Sequence, residues 1–276
     1  MSRQICGLCP HRCRLEEGQI GLCRARSNVG GTILPLNYGK ITSIALDPIE
    51  KKPLMRFYPG NFILSVGSFG CNLRCPFCQN HEISQAGQEF RHQTVMPEQL
   101  VQIAETLAAE PKGNLGVAFT YNEPLIGVEF LRDTAFLLKK RGMKVVLVTN
   151  GMMEEAPFRE LLPLVDAMNI DLKAFHGEFY RWIGGDLETV KRNIRLAAGA
   201  CHVEVTTLVI PGKNDSAEEM AQEAAWLAGI SPELPLHISR YFPRFRSEIP
   251  ATEVSVIYRL ADVARQHLSH VYEGNC

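Results

Sequence analysis

Between Cys71 and Cys78 three cysteines fall in the spacing C-x3-C-x2-C, inside the run Gly70-Cys71-Asn72-Leu73-Arg74-Cys75-Pro76-Phe77-Cys78-Gln79-Asn80. A strand-like run, Phe62-Ile63-Leu64-Ser65-Val66, leads directly into it. A loop this short can present three thiolates to one metal centre, but not four. A [4Fe-4S] cluster normally takes four cysteine thiolates, so three leave one iron with an open position, which is what chemistry at a metal needs. The alternatives are a structural zinc loop or plain buried cysteines. Zinc sites usually pair two C-x2-C knuckles, which favours the cluster.

The chain has 276 residues, 46% hydrophobic and 21% charged, with a net charge of −1. This is ordinary globular composition, and α/β barrels of this length form one unit. The charge balance offers no broad footprint for nucleic acid or an anionic membrane. No apolar run approaches the ~20 residues that span a bilayer. The start, Met1-Ser2-Arg3-Gln4-Ile5-Cys6, lacks the apolar core of a signal peptide, so a cytoplasmic protein is expected. In that compartment nine cysteines read as metal ligands before disulfides.

Four of them, Cys6, Cys9, Cys13 and Cys23, lie within 18 residues in the spacing C-x2-C-x3-C-x9-C. Few apolar residues separate them, so a metal would supply the missing folding energy. Zinc on four thiolates and a second iron–sulfur cluster are both compatible. His11 reads as a loop histidine. Cys201 and Cys276 receive no role. The sequence divides into an N-terminal cysteine-rich metal-binding segment with short strands, residues 1–58, and a larger unit, 59–276. Within the first, Lys40 to Leu46 reads as a strand and Asp47 to Pro53 as a proline-bracketed loop in solvent.

From residue 59 onward the rhythm is βα. Strands are expected at 62–66, 116–121, 144–150, 167–173, 203–210 and 236–241. Helices are expected from Pro97, over 128–140, 158–162 and 187–198, from a Ser216 cap with Glu219 as capping-box partner, and over 252–267. Six strands alternating with helices predict a parallel sheet covered by helices, a partial (β/α)6 barrel, with a doubly wound open sheet as the alternative. Polar residues gather at strand C-terminal ends: Cys71, Asn122/Glu123, Thr149/Asn150, Asp171/Lys173 and His237. Parallel sheets place their sites there. No glycine-rich nucleotide fingerprint follows any strand.

The cysteine loop, with Phe77 before its last cysteine, resembles that of radical S-adenosylmethionine (SAM) enzymes. The segments CPFCQN, TNG (Thr149 to Gly151), DLK (Asp171 to Lys173) and VIPGKND (Val209 to Asp215) are similar to the activating-enzyme branch typified by pyruvate formate-lyase activating enzyme. The AmmeMemoRadiSam group is closer. Its radical SAM member resembles this chain in DPIEKKPL (Asp47 to Leu54), FYPG (Phe57 to Gly60), CQNHEISQ (Cys78 to Gln85), TYNEP (Thr120 to Pro124), NIDLKAF (Asn169 to Phe175), EVTTLVIPGKND (Glu204 to Asp215) and the N-terminal cysteines.

That resemblance implies a radical SAM partial barrel in which Cys71, Cys75 and Cys78 hold a [4Fe-4S] cluster. SAM would bind the fourth iron through its amino and carboxylate groups. Reductive cleavage would give a 5′-deoxyadenosyl radical that takes hydrogen from a substrate. Asn122 and Glu123 stand at the family's Gly-Gly-Glu motif, Thr149 and Asn150 at its second signature, and Asp171 and Lys173 at the motif contacting the methionyl and ribose end of SAM. His237 matches a histidine near the adenosyl group, and Phe77 the loop aromatic. Val148 replaces an Asp that serves a cation in the activating enzyme, so no cation site is expected. Implied partners are a flavodoxin- or ferredoxin-type electron donor and a protein substrate or AmmeMemoRadiSam proteins. Two other functions stay open: a glycyl-radical activase, and a non-catalytic metal-binding adaptor.

Overall fold

The computed structural model describes residues 3–276. Among them, one eight-stranded sheet runs in chain order: β1 (Ser43–Pro48), β2 (Phe62–Gly67), β3 (Gly116–Phe119), β4 (Lys144–Thr149), β5 (Ala167–Asp171), β6 (His202–Val209), β7 (Leu236–Arg240) and β8 (Val271–Gly274). Strands β2 to β8 are parallel, and β1 pairs antiparallel with β2. The edges β1 and β8 do not pair with each other, so the barrel stays open between them. The six βα strands read from the sequence are all present. β8 is a seventh parallel strand that the sequence reading missed. It is four residues long, Val-Tyr-Glu-Gly, and its glycine and short length hide it.

The crossover helices are α1 (Pro97–Ala108), α2 (Val128–Lys140), α3 (Glu155–Leu161), α4 (Gly177–Ile183), α5 (Leu187–Ala198), α6 (Ala217–Ala228) and α7 (Val254–Ala264). Their apolar faces seal the sheet's outer side; α5 buries Val190, Ile194 and Ala197 at helical spacing. Ser216 caps α6 by accepting the Glu219 N–H. The reciprocal half of the expected capping box is absent, because the Glu219 carboxylate accepts the Phe175 N–H at 2.6 Å instead. Helix α4 was not expected from sequence; its aromatic residues, Phe179, Tyr180 and Trp182, obscure a helical pattern.

The segment after β1 departs most from expectation. The anticipated strand breaks at Thr42: Lys40–Ile41 pairs with Gln93–Thr94, and Ser43–Pro48 enters the main sheet. Asp47 to Pro53, read as a loop in solvent, instead ends β1 and enters a segment, residues 49–57, that turns inward and plugs the base of the barrel. Ile49, Leu54 and Phe57 pack on Ile63, Ala118, Val146 and Ala167 from β2 to β5. Residues 43–57, which sequence grouped with the N-terminal segment, therefore belong to the sheet and its interior. Lys52 is 3% exposed, its Nζ 2.8 Å from Asp47 Oδ2, and the Tyr121 hydroxyl donates to the same oxygen at 2.7 Å. The plug also reaches the far wall. The Met55 and Arg56 N–H groups donate to Glu204 on β6 at 3.0 and 2.8 Å, and Asn169 on β5 donates to the Pro53 carbonyl at 2.8 Å.

A candidate active site at the strand ends

Above the plug lies a cavity of about 300 Å³, at the C-terminal ends of the parallel strands. It is lined by Cys71, Cys75, Phe77 and Cys78 from the loop after β2, and by Asn122 and Glu123 after β3. Thr149 and Asn150 after β4 and Asp171 and Lys173 after β5 complete the set. The structure thus gathers in one cavity every residue that the sequence assigned to SAM and its cluster, with one exception.

That exception is His237. It is the second residue of β7, whereas Ser239, two residues on and on the same face, lines the cavity. His237 lies roughly 6.5 Å deeper by the rise of a strand. Its Nε2 is 2.6 Å from Glu204, and its ring stacks on Tyr272 at 5.2 Å. It belongs to the buried polar layer beneath the site.

Glu123 anchors the centre. It is 2% exposed and accepts the Leu125 N–H at 2.9 Å, the Thr149 hydroxyl at 2.6 Å and the Asn150 N–H at 2.8 Å. Burial pushes its carboxyl up to about 7 against the lowering effect of these donors. Asn150 then reaches the cysteine loop: its Nδ2 donates to Asn72 Oδ1 at 2.9 Å and to Cys71 Sγ at 3.7 Å. The Asn122 amide is spent on the same loop, donating to the Phe69 and Gly70 carbonyls and accepting the Ser68 N–H. Asp171 and Lys173 form a pair at 2.7 Å that is mostly shielded from solvent. Asn214, from the VIPGKND segment, holds it in place by donating to the Lys173 carbonyl at 2.8 Å.

The three thiols fit a cluster. Burial pushes the Cys75 thiol up to about 12 and the Cys71 thiol well above its ordinary value, so neither is anionic on its own; metal ligation deprotonates such thiols outright. Among the described residues, no three Cys, His, Asp or Glu side chains stand close enough to enclose a single metal ion. A four-iron cluster needs no such convergence, since each thiolate takes its own iron. Phe77 closes one side, packed against Phe179, Trp182 and Tyr241. Residues 76–81 after the cysteine loop and residues 245–246 after β7 meet: His81 stacks on Phe245 at 4.5 Å, and the Arg246 N–H donates to the Pro76 carbonyl.

Sequence reasoning missed Asn72, Thr206, Ser239 and Asn275, and noted Tyr121 in place of a motif glycine without giving it a role. Tyr121 has φ +70° and lays its ring into the barrel with Lys52 4.7 Å over its face. It occupies the position of a family glycine, whose freedom at positive φ was the available signal. Asn275 follows the unforeseen β8 and donates to Ser239 at 3.0 Å.

The N-terminal cysteines also come together. Cys6, Cys9, Cys13 and Cys23 line one small closed cavity, with Arg26 beside them. The Cys23 carbonyl accepts the Cys71 N–H at 3.2 Å, and His11 Nε2 is 2.7 Å from the Asn72 carbonyl. Gly70 makes that approach possible. Its φ is +88°, and a Cβ there would sit 2.4 Å from the Cys23 oxygen.

Comparison with known proteins agrees with this geometry. The model of the radical SAM superfamily matches residues 65–224. An uncharacterized protein of Methanocaldococcus jannaschii is 36% identical over 276 residues, 98% of this chain and 80% of that protein. The pyruvate formate-lyase 1-activating enzyme of Escherichia coli K12 is 28% identical over 152 residues, 53% of this chain and 60% of that enzyme. Among solved structures, a radical SAM methyltransferase from Sphaerobacter thermophilus superposes with a TM-score of 0.59 at 17% identity, over 79% of this chain and 67% of that one, a likeness of fold. No helix among the described residues is long and apolar enough to cross a membrane.

Proposed function

The chain belongs to the radical SAM superfamily, and from that premise we propose an enzyme of the AmmeMemoRadiSam type that abstracts hydrogen from a substrate held above the barrel plug. The observation that carries this reading is the single cavity where Cys71, Cys75 and Cys78 face Glu123, Asn150, Asp171 and Lys173. When bound, a [4Fe-4S] cluster and SAM supply reductive cleavage to a 5′-deoxyadenosyl radical.

The chain's own residues do the rest. Cys71, Cys75 and Cys78 would hold the cluster through their thiolates, and three ligands would leave one iron for SAM. The Asn150 amide donates to the Cys71 sulfur, and the Lys173 ammonium beside Cys75 and Cys78 offsets their negative charge. The Asp171–Lys173 pair offers both signs of charge to the zwitterionic end of SAM. Phe77 and its aromatic neighbours keep water from that side, which a primary alkyl radical requires. Thr206, Ser239 and Asn275, across the cavity from the cysteine loop in chain order, are left for substrate. The four N-terminal cysteines read as a second metal–thiolate site, and a flavodoxin- or ferredoxin-type protein as the electron donor.

Similarity to the activating enzymes supports a second reading, in which the substrate is a glycyl residue of a partner enzyme. A glycyl EPR doublet on a co-expressed partner would favour it. The test of the shared chemistry is anaerobic reconstitution followed by dithionite and SAM. Formation of 5′-deoxyadenosine, lost in Cys71→Ala, is expected; its absence in the wild type overturns both readings and leaves a metal-binding adaptor.

A further inference from the structure

We propose that a basic groove on the outer side of the Cys71 loop, walled by Arg12, Arg14, Arg24 and Arg74, docks an acidic flavoprotein of the flavodoxin type that delivers the electron for SAM cleavage. The proposal rests on the radical SAM reading and names where its electron donor sits.

The groove is open and encloses about 630 Å³. Four arginines line it and no carboxylate does. Arg14 lies on the short strand Arg14–Leu15, where alternation buries Leu15 and turns Arg14 outward. Arg24 lies in a turn with φ +63°, its Nη1 buried without a hydrogen-bond partner. Among the described residues, only Arg12 of the four is in an ion pair, with Glu154 at 3.0 Å. Two other carboxylates nearby serve other donors. Glu17 accepts the Gly30 N–H at 2.9 Å, and Glu89, within range of the Arg24 charge, accepts the Gly87 N–H at 2.8 Å. The groove therefore stays positive on a chain whose net charge is −1. Between the arginines, Ile20 and Leu22 are exposed. Arginine mixed with apolar side chains is the make-up of a protein interface. Nucleic acid would call for stacking faces of Phe, Tyr or Trp, and none lines the groove.

Its place suits the entry of an electron. Arg74 belongs to the Cys71–Cys78 loop itself, and His11, also in the groove, has its Nε2 2.7 Å from the Asn72 carbonyl, next to Cys71. A carrier seated here lies against the outer side of the peptide that bears the three thiols. The groove and the strand-end cavity share no lining residue, so the carrier leaves that cavity free for SAM and substrate. Its reduced flavin gives up one electron, the cluster held by the loop takes it, and no atom is exchanged. The dimethylbenzene edge of a flavin is apolar. Exposed on an acidic protein, it complements Ile20 and Leu22 set among arginines. Electron-transfer encounters are small and steered by charge, which an open basic groove provides.

The test uses the full chain, reconstituted anaerobically, and a purified acidic flavodoxin. Binding, followed by flavin fluorescence anisotropy, should weaken as potassium chloride rises through about 0.15 M, where the screening length is about 8 Å. Arg14→Glu with Arg74→Glu, at wild-type iron content and circular dichroism, should weaken binding about tenfold. Should charge reversal lower the iron content, Arg14→Gln with Arg74→Gln takes its place. Arg132→Glu with Arg259→Glu, at two exposed positions outside the groove, changes the net charge equally and should bind as wild type does. With limiting reduced flavodoxin as the reductant, 5′-deoxyadenosine formation should fall by the same factor in the groove variant; with dithionite it should not change. Several outcomes would each overturn the proposal: no binding, binding insensitive to salt, equal losses in the two variants, binding of a ferredoxin in place of flavodoxin, or displacement of flavodoxin by a single-stranded oligonucleotide. If flavodoxin binds in the expected pattern but dithionite yields no 5′-deoxyadenosine in the wild type, the radical SAM reading fails while the docking surface stands.

Discussion

Asn150 Nδ2 donates to the sulfur of Cys71 at 3.7 Å while its Oδ1 accepts the Met152 N–H at 2.9 Å, so the amide orientation is fixed from both sides. A donor to a cluster sulfur favours the more negative, reduced state. Asn150→Ala should therefore lower the midpoint potential of the Cys71-loop cluster. One hydrogen bond of about 1.4 kcal/mol corresponds to about 60 mV for one electron. Redox titration followed by EPR checks this, and an unchanged or raised potential would remove Asn150 from that role.

Lys52 is expected to matter for stability far more than a loop lysine would. It is 3% exposed and paired with Asp47. Lys52→Ala leaves the part-buried Asp47 carboxylate with Tyr121 and the exposed Lys51 but without its buried counter-charge, which costs about 1.5–3 kcal/mol. Lys52→Met combined with Asp47→Asn should recover much of that loss, because no lone charge remains. Urea denaturation of the two variants decides it; equal losses would show that the pair is not coupled.

Glu204 ties acid stability to the barrel interior. Burial alone would raise its carboxyl, but hydrogen bonds from His202, His237 and the Arg56 and Met55 N–H groups outweigh it and bring the group to about 2 from an ordinary 4.5. A carboxylate depressed in this way contributes stability above its unfolded value and loses it as pH falls from about 4.5 towards 2. Glu204→Gln should be less stable than wild type by about 3 kcal/mol at pH 7, and the gap should close near pH 2. Thermal melts across that range, at matched iron content, test the slope.

Gly70→Ala should uncouple the N-terminal cysteine segment from the active-site loop. The substitution meets both a positive φ and the Cys23 carbonyl, and the backbone cost alone is at least about 1 kcal/mol. Faster proteolysis in residues 3–35 and lower iron retention are the expected outcomes. Wild-type protection there would mean that the contact is dispensable.

The cysteine loop and the βα rhythm were legible because spacing and periodicity are local. The polar strand ends followed from the same pattern, and so did the faces of the helices. Height within the barrel was a different matter. Strand alternation gives the face on which His237 lies, but only its place near the start of β7 puts it under the site. The plug was illegible for another reason. Lys51 and Lys52 look alike in sequence, yet the first is exposed and the second is sealed against Asp47 and Tyr121. That difference depends on partners 74 residues apart in the chain, Asp47 and Tyr121, and on a fold that brings them together.

The plug also bears on how the chain folds. Its bonds from Met55 and Arg56 to Glu204 span 149 and 148 residues of sequence, and the sheet edges never close on each other. The curvature of β1 to β6 is thus fixed from within, by a segment synthesised early that must wait for a strand made late. Such distant closure slows folding. An amino-terminal fragment ending before β6 should collapse without its final curvature and acquire it only when the later half is supplied.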